Sequence, residues 1–155
     1  MSAKLRVFAA AASIAATALV VSMVSVASAD TDRQVIHVVE RAVTDTVVDT
    51  DGDGALSTGD LLTFHNRLFD ATNTEQVGRD QGQCVSIVAA TGIWQCNYTV
   101  FLEDGHIDVQ GPFIDGRETT ISVIGGTGAY RDVTGIQKLS CSADGTCDFL
   151  FRLNV

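Results

Sequence analysis

Short runs of alternating apolar and polar residues constrain the fold of this chain most. Such alternation is typical of half-buried β-strands, because successive side chains of a strand point to opposite faces of a sheet. Gly, Asn and Asp separate the runs, as expected for tight turns. We predict eight strands, at residues 35–44, 61–69, 83–88, 93–102, 106–110, 119–124, 134–140 and 148–153.

The strand pattern predicts an all-β protein built as an eight-stranded antiparallel β-barrel. A closed barrel leaves no exposed strand edge, and eight strands enclose an interior just wide enough for side chains or one small ligand. A β-sandwich is the alternative architecture. Gly116 and Gly145 are predicted to take positive φ in turns. Pro112 is predicted to end a strand, since proline cannot donate to a strand ladder.

The first 29 residues are predicted to be a secretory signal peptide. Lys4 and Arg6 precede an apolar run over 7–26, and Ala27-Ser28-Ala29 supplies the small residues that a signal peptidase needs. A membrane anchor is the alternative, because the run is almost long enough to span a bilayer, but no basic stop-transfer cluster follows it. We therefore expect a secreted, extracellular protein, not held at the membrane after cleavage, with a single domain at 30–155.

The rest of the chain is acidic. Beyond residue 29, 8 Lys and Arg face 19 Asp and Glu, which gives a net charge of minus eleven. A nucleic-acid-binding function is excluded on this basis, because binding to polyphosphate demands a basic face.

The four cysteines of an exported chain predict two disulfides, for which three connectivities exist. One turn separates Cys84 from Cys96, and another separates Cys141 from Cys147. We therefore expect each cysteine to pair with its nearest neighbour in the sequence, so that each disulfide links the two strands of one hairpin. A metal site made of cysteines is disfavoured, because the chain contains no C-x-x-C motif.

Three polar residues are predicted to face the barrel interior. The alternation places Glu40 on the apolar face of the first strand, Asn66 on that of the second and Tyr98 on that of the fourth. Polar groups in an apolar interior are costly unless they are paired or have a function. These residues are accordingly the first candidates for a functional site.

Three motifs resemble those of the allene oxide cyclases and, more closely, of bacterial allene oxide cyclase barrel-like proteins. The motifs are VGRDQGQCV at 77–85, GHIDVQGPF at 105–113 and IGGTGAY at 124–130. The plant dirigent proteins are a more distant resemblance. The likeness covers the chain from about residue 35 onward. It implies an eight-stranded antiparallel barrel with an apolar cavity, often assembled as a trimer.

The resemblance also implies roles for single residues. Glu40 matches a glutamate at which the cyclases promote charge delocalisation in a fatty-acid allene oxide. Asn66, in an F-x-N motif that starts at Phe64, matches an asparagine that helps to hold a water against the epoxide oxygen. Cys84, in a G-x-C-V motif, matches a cysteine that shapes the cavity. Glu40 and Asn66 are therefore the catalytic candidates, and Phe64, Cys84 and Tyr98 the ligand-binding candidates.

Residues 49–60 match a twelve-residue calcium loop at several ligand positions, with Asp60 in place of the usual bidentate glutamate. An EF-hand needs a helix after this loop, whereas a strand is predicted from Leu61. No metal site is therefore assigned.

Three functions remain open. The first is a secreted isomerase-type cyclase that acts on an apolar polyene or epoxide-like small molecule in the barrel cavity. The second is a non-catalytic binding or carrier protein for a hydrophobic ligand, and the third is an extracellular interaction module based on residues 49–60. No cofactor is expected. Ala42 stands where the cyclases have a second asparagine, which argues against the plant reaction but not against another cyclisation.

Overall fold

The computed structural model of the protein describes residues 33–154, which form ten β-strands and two single-turn 3-10 helices, Ala89–Thr91 and Gly128–Tyr130. The strands are β1 (Arg33–Arg41), β2 (Thr46–Val48), β3 (Leu61–Phe64), β4 (Arg67–Asp70), β5 (Gln76–Val88), β6 (Ile93–Leu102), β7 (Gly105–Ile114), β8 (Thr119–Gly126), β9 (Thr134–Cys141) and β10 (Thr146–Asn154). The predicted signal peptide, residues 1–29, lies outside the described residues. Within residues 33–154, no helix is long and apolar enough to cross a membrane.

The strands close into an antiparallel barrel, which confirms the predicted fold. Its wall has eight strand positions, which we call staves. β3 and β4 both pair with β5 and together form one stave, and the short β2 pairs with β3 beyond the end of β1. Pairing of β1 with β10 and of β5 with β6 completes the ring. Because every stave has a neighbour on both sides, no long edge is left unpaired.

The barrel interior is packed with the apolar faces that the alternation predicts. Val100, Ile107, Ile121, Phe151 and Leu153 have no exposed surface. Fully burying side chains of this kind contributes about 1.5–3 kcal/mol each. The core therefore lies inside the barrel.

The predicted boundaries need correction at several strands. The first ends at Arg41 and not at 44, and the second is interrupted at 65–66, where Asn66 takes up a different role, described below. β5 begins at Gln76, seven residues before the predicted start. Gly78 and Gly82, which precede the predicted start, lie within the strand.

Pro112 does not end its strand. It lies within β7 and is paired with Gln95 of β6, and the strand continues to Ile114. Pairing between β7 and β8 stops at Gln110, so β7 has a neighbouring strand on only one side at Pro112. A proline is tolerated there because edge positions do not require both ladder hydrogen bonds. Gly116 and Gly145 take positive φ in turns, as predicted.

Candidate active site

The barrel encloses a cavity of about 70 Å³. Its wall combines aromatic and aliphatic side chains with a single buried glutamate, Glu40, and the half-exposed rings of Phe64 and Phe113. Pockets for drug-sized ligands have volumes of about 300–1,000 Å³, so this cavity is small. A ligand of that size has to displace lining side chains in order to enter.

All four cysteines line the cavity. Cys84 of β5 is bonded to Cys96 of β6, and Cys141 of β9 to Cys147 of β10. In both pairs the two residues lie directly opposite each other on neighbouring strands. The predicted nearest-neighbour pairing is confirmed, and Cys84 belongs to the cavity wall as half of a disulfide.

Glu40 projects from β1 into the barrel, where it is only 6% exposed. Its neighbours across the strand pairs are Cys147 of β10 and Leu68 of β4. Asn66 Nδ2 donates a hydrogen bond of 2.7 Å to Glu40 Oε1. The predicted inward orientation of Glu40 is therefore seen in the structure, with an amide from the interruption between β3 and β4 as its partner.

Asn66 joins the chain segments that interrupt the barrel wall. Its Nδ2 donates to Glu40 and also to Asp45 Oδ1, at 2.7 Å each. Its Oδ1 accepts from the backbone N–H groups of Val43 and Thr44 and from the Thr44 hydroxyl, at 2.9–3.0 Å. Both N–H bonds and both lone pairs of the amide are thus engaged. No group of this side chain is left to hold a water.

Asp80, on β5, is a site residue that the sequence analysis missed. It has no exposed surface, and its backbone N–H and carbonyl pair with those of Asn66. Asp80 Oδ1 accepts from the Asn66 N–H at 3.2 Å, whereas Oδ2 has no partner other than the adjoining Glu40 carboxyl. Alternation could have identified Asp80, because Asp80 shares one face of β5 with Gly82 and Cys84.

Burial raises the pKa of both carboxyl groups, to about 7 for Glu40 and about 9 for Asp80. For Asp80 the negative charge of Glu40 adds to the effect, and for Glu40 the Asn66 hydrogen bond opposes it. Two adjoining buried carboxyl groups resist ionising together. The pair therefore retains at least one proton at neutral pH, and that proton supplies the hydrogen bond that Asp80 Oδ2 otherwise lacks.

Tyr98 lies on the opposite part of the cavity wall and is 3% exposed. Its hydroxyl donates to Gln137 Oε1 at 2.7 Å, and its ring packs edge-on against Phe64 with centroids 5.6 Å apart. Burial raises the pKa of the hydroxyl well above its usual value, so the group stays protonated. Glu40, Phe64, Cys84 and Tyr98 all contact the cavity, whereas Asn66 reaches it through Glu40.

The acidic loop at 49–60 is held by its own carboxylates. Asp60 is fully buried and accepts from the N–H groups of Thr50 and Ser57 at 2.8 Å, which lowers its pKa. Asp49, Asp51 and Asp53 are exposed, with carboxylate oxygens within 4.8 Å of one another. The loop leads into strand β3 and not into a helix. We assign it no metal.

The fold and the site together define a class: closed antiparallel barrels of eight staves with an apolar cavity and a few polar groups on its wall. The family model of allene oxide cyclase matches residues 21–143, and the chain belongs to this family.

Solved structures with the same barrel include a pyocyanin demethylase, at 22% identity and a TM-score of 0.69 over 78% of this chain and 100% of that chain. The pterocarpan synthase dirigent protein PsPTS1 is 18% identical, with a TM-score of 0.66 over 79% of this chain and 95% of that one. AbnU, an exo-specific intermolecular Diels-Alderase, is 16% identical, with a TM-score of 0.63 over 80% and 99%. At such identities the likeness establishes the fold alone.

Proposed function

We propose that the protein is an exported isomerase-type cyclase that acts on an apolar small molecule in the barrel cavity. Membership of the allene oxide cyclase family supports this function, and the two disulfides are compatible with an extracellular protein. The observation that carries the proposal is the Glu40 carboxyl, which contacts an apolar cavity and adjoins a second buried carboxyl group.

Glu40 is the group that acts on the substrate. While both carboxyl groups are protonated, Glu40 donates its proton to an epoxide or carbonyl oxygen, and Asp80, which keeps its own proton, donates a hydrogen bond to the resulting Glu40 carboxylate. When Glu40 is ionised, its charge stabilises cationic character along a polyene. In either state an electrostatic interaction at this site is strong, because water is largely excluded.

The remaining residues position Glu40 and confine the substrate. Asn66 fixes the carboxyl orientation, and it is a positioning residue because its own hydrogen-bonding groups are all engaged. Phe64 and Tyr98 provide aromatic surface against which a folded chain is held. Confinement in a reactive conformation accelerates ring closure by reducing the entropy that must be lost in the transition state.

The second candidate is a non-catalytic carrier of a hydrophobic ligand. The engaged amide of Asn66 and the alanine at position 42 favour it, because together they leave no asparagine side chain to hold a reactive water. Both functions use the same cavity, so the test must separate binding from turnover.

The test compares the wild type with Glu40→Gln, using Glu103→Gln as a matched control because Glu103 is exposed in the turn before β7. Binding is measured with a fluorescent polyene fatty acid, and turnover with a panel of unsaturated fatty-acid epoxides analysed by chromatography and mass spectrometry. An isomerase changes the retention time of the epoxide without changing its mass.

Glu40→Gln should bind the polyene as the wild type does and lose about 100-fold or more in turnover, the usual range for an acid or base group. Glu103→Gln should match the wild type in both measurements. Wild-type turnover in Glu40→Gln would contradict the role of Glu40. Polyene binding with no conversion of any epoxide would support the carrier instead.

A further inference from the structure

Three arginines lie side by side on the outside of the barrel. Arg41 of β1 is paired in register with Arg67 of β4, which is paired with Arg79 of β5. They are three of the eight Lys and Arg residues that follow residue 30 in a chain with 19 acidic residues. Like charges directly opposite each other on neighbouring strands are destabilising. Nearby groups must therefore offset the repulsion between the three charges.

Two of the three guanidinium groups are held in place by neutral partners. Arg41 donates to the Asn73 side chain at 2.9 Å and to its carbonyl at 2.8 Å, and stacks 3.6 Å above the Phe69 ring. Arg79 donates to Gln81 Oε1 at 2.9 Å and lies 3.8 Å above the Phe101 ring. Stacking and neutral hydrogen bonds orient a guanidinium without cancelling its charge.

The arginine row borders a surface depression of about 510 Å³. His65 and Thr44 also line this depression, and none of its lining residues is acidic. Among residues 33–154, the recorded ion pairs involve His37, His106 and Lys138, so none of the three arginines is neutralised by a carboxylate. Arg67, in the middle of the row, is exposed and makes no recorded side-chain hydrogen bond in this part of the chain.

We propose that this depression is a binding site for a phosphate or sulfate group, either free or carried as an ester on a larger molecule. A sulfate or phosphate group, free or as a monoester, presents at least three oxygen atoms to the row, whereas a carboxylate presents two. Guanidinium forks match the oxygens of such a group with paired N–H donors, which form strong charge-assisted bonds. The depression lies on the outer side of the wall and does not include Glu40, although Val43, Thr44 and Asn66 line it and also belong to the network that holds Glu40. The proposal does not depend on turnover in the cavity, because its test measures anion binding.

The test is calorimetric titration of the folded protein with sodium sulfate, sodium phosphate and 4-nitrophenyl sulfate, at an ionic strength held constant with chloride. Direct titration is needed because sulfate raises the stability of proteins in general through its exclusion from their surfaces. Saturable binding of at least one probe is expected. Stronger binding of the ester than of sulfate would identify an ester ligand, and the reverse a free anion.

Arg67→Gln should weaken binding tenfold or more. Arg152→Gln is the matched control, because Arg152 is exposed on the outside of β10 and its loss changes the net charge equally. Arg67→Lys keeps the charge but not the forked guanidinium, so its affinity for the anion should lie between those of Arg67→Gln and Arg152→Gln. It serves as the test if Arg67→Gln does not fold. The absence of saturable binding of all three probes to the wild type, or equal weakening in Arg67→Gln and Arg152→Gln, would overturn the proposal.

Discussion

The polar residues around Glu40 form a connected network, whereas Ser86 Oγ, Thr119 Oγ1 and Gln137 Nε2 are buried without a partner among the described residues. Asn66 connects Glu40 to the backbone of residues 43 and 44, and Asp80, on β5 beyond the interrupted stave of β3 and β4, adjoins Glu40. A buried donor or acceptor without a partner costs about 1–3 kcal/mol. Groups of this kind persist only where the network compensates for their burial, and here the network surrounds the proposed reactive carboxyl.

Tyr98→Phe is expected to lower the free energy of unfolding by about 1–3 kcal/mol, the cost of an unmet buried hydrogen bond. The change removes the donor to Gln137 Oε1, and Gln137 Nε2 already has no partner within the described residues. The buried amide of Gln137 would then have no partner at either end. Urea denaturation of the wild type and the variant measures the loss.

The double variant Tyr98→Phe with Gln137→Leu is the control. Replacing both partners by apolar groups of similar size is nearly neutral, so the double variant should be more stable than Tyr98→Phe alone. If the second change adds to the loss, the Tyr98 hydroxyl is not what stabilises Gln137.

At the residue scale, the sequence predicted which side chains face inward but not how they are connected. Alternation placed Glu40, Asn66 and Tyr98 on the inside, and all three are buried. Asp80 was missed because the start of β5 was predicted too late, at residue 83, so that Asp80 was left outside the strand. The contacts of Asn66 with residues 43–45 arise from a break in two strands, which period-two alternation does not reveal.

At the element scale, glycines within strands mark places where two strands approach closely. Gly82 lies opposite Tyr98 on the β5–β6 pair. A Cβ atom at Gly82 would come within 3.0 Å of Tyr98 Cα and Cβ and of the Asn97 carbonyl oxygen. The glycine of the G-x-C-V motif thus allows Tyr98 to lie flat on the cavity wall.

Gly82→Ala is expected to destabilise the fold by about 1–3 kcal/mol, because inserting an atom into a packed core forces the backbone to shift. Gly111→Ala, on β7, is the control with a smaller expected loss: its nearest new contacts would be Ile121 Cγ2 at 3.2 Å and Ile121 Cα at 3.3 Å, which are tight but do not overlap as those at Gly82 do. Urea midpoints of the two variants measure the difference. Equal losses would show that the approach of β5 to β6 at Gly82 is not limiting.

At the scale of the whole molecule, the repeated alternation predicted an all-β protein but left a closed barrel and a β-sandwich open, because both architectures bury the apolar faces of half-buried strands. The resemblance to the allene oxide cyclases favoured the barrel. The pairing of β5 with β6 and the volume of the cavity depend on contacts between distant segments. The alternation within single strands therefore did not predict either. The disulfides were predictable because each links residues on either side of a single turn.

The stability of the whole molecule is expected to fall as pH rises from 5 to 9. Glu40 and Asp80 have folded pKa values of about 7 and about 9, whereas both groups ionise near pH 4 in an unfolded chain. Between these values the unfolded chain has released the protons that the folded chain still binds. These two groups therefore stabilise the folded protein fully below about pH 4. Their contribution is lost as pH rises through the folded-state pKa values of about 7 and about 9. The free energy of unfolding falls by up to about 1.4 kcal/mol per pH unit for each retained proton.

Carboxylates with lowered pKa values act in the opposite direction, but outside this range. Asp49, Asp70 and Asp144 are held ionised by hydrogen bonds, so the stability they supply is lost only as pH falls below about 4. They contribute a constant amount between pH 5 and pH 9. The difference in slope between the wild type and a variant without Asp80 therefore reports on the buried pair.

Asp80→Asn should flatten this slope, because an amide can still donate to Glu40 but carries no titrating proton. Asp132→Asn provides the matched control, since Asp132 is exposed and its φ of 60° is one that asparagine tolerates. The free energy of unfolding is measured in urea at pH 5, 7 and 9 for the three proteins. The wild type and Asp132→Asn should lose stability in parallel, and Asp80→Asn should lose less. A slope in Asp80→Asn as steep as in the wild type would mean that Asp80 is ionised in the folded protein, and the proton shared with Glu40 would have to be abandoned.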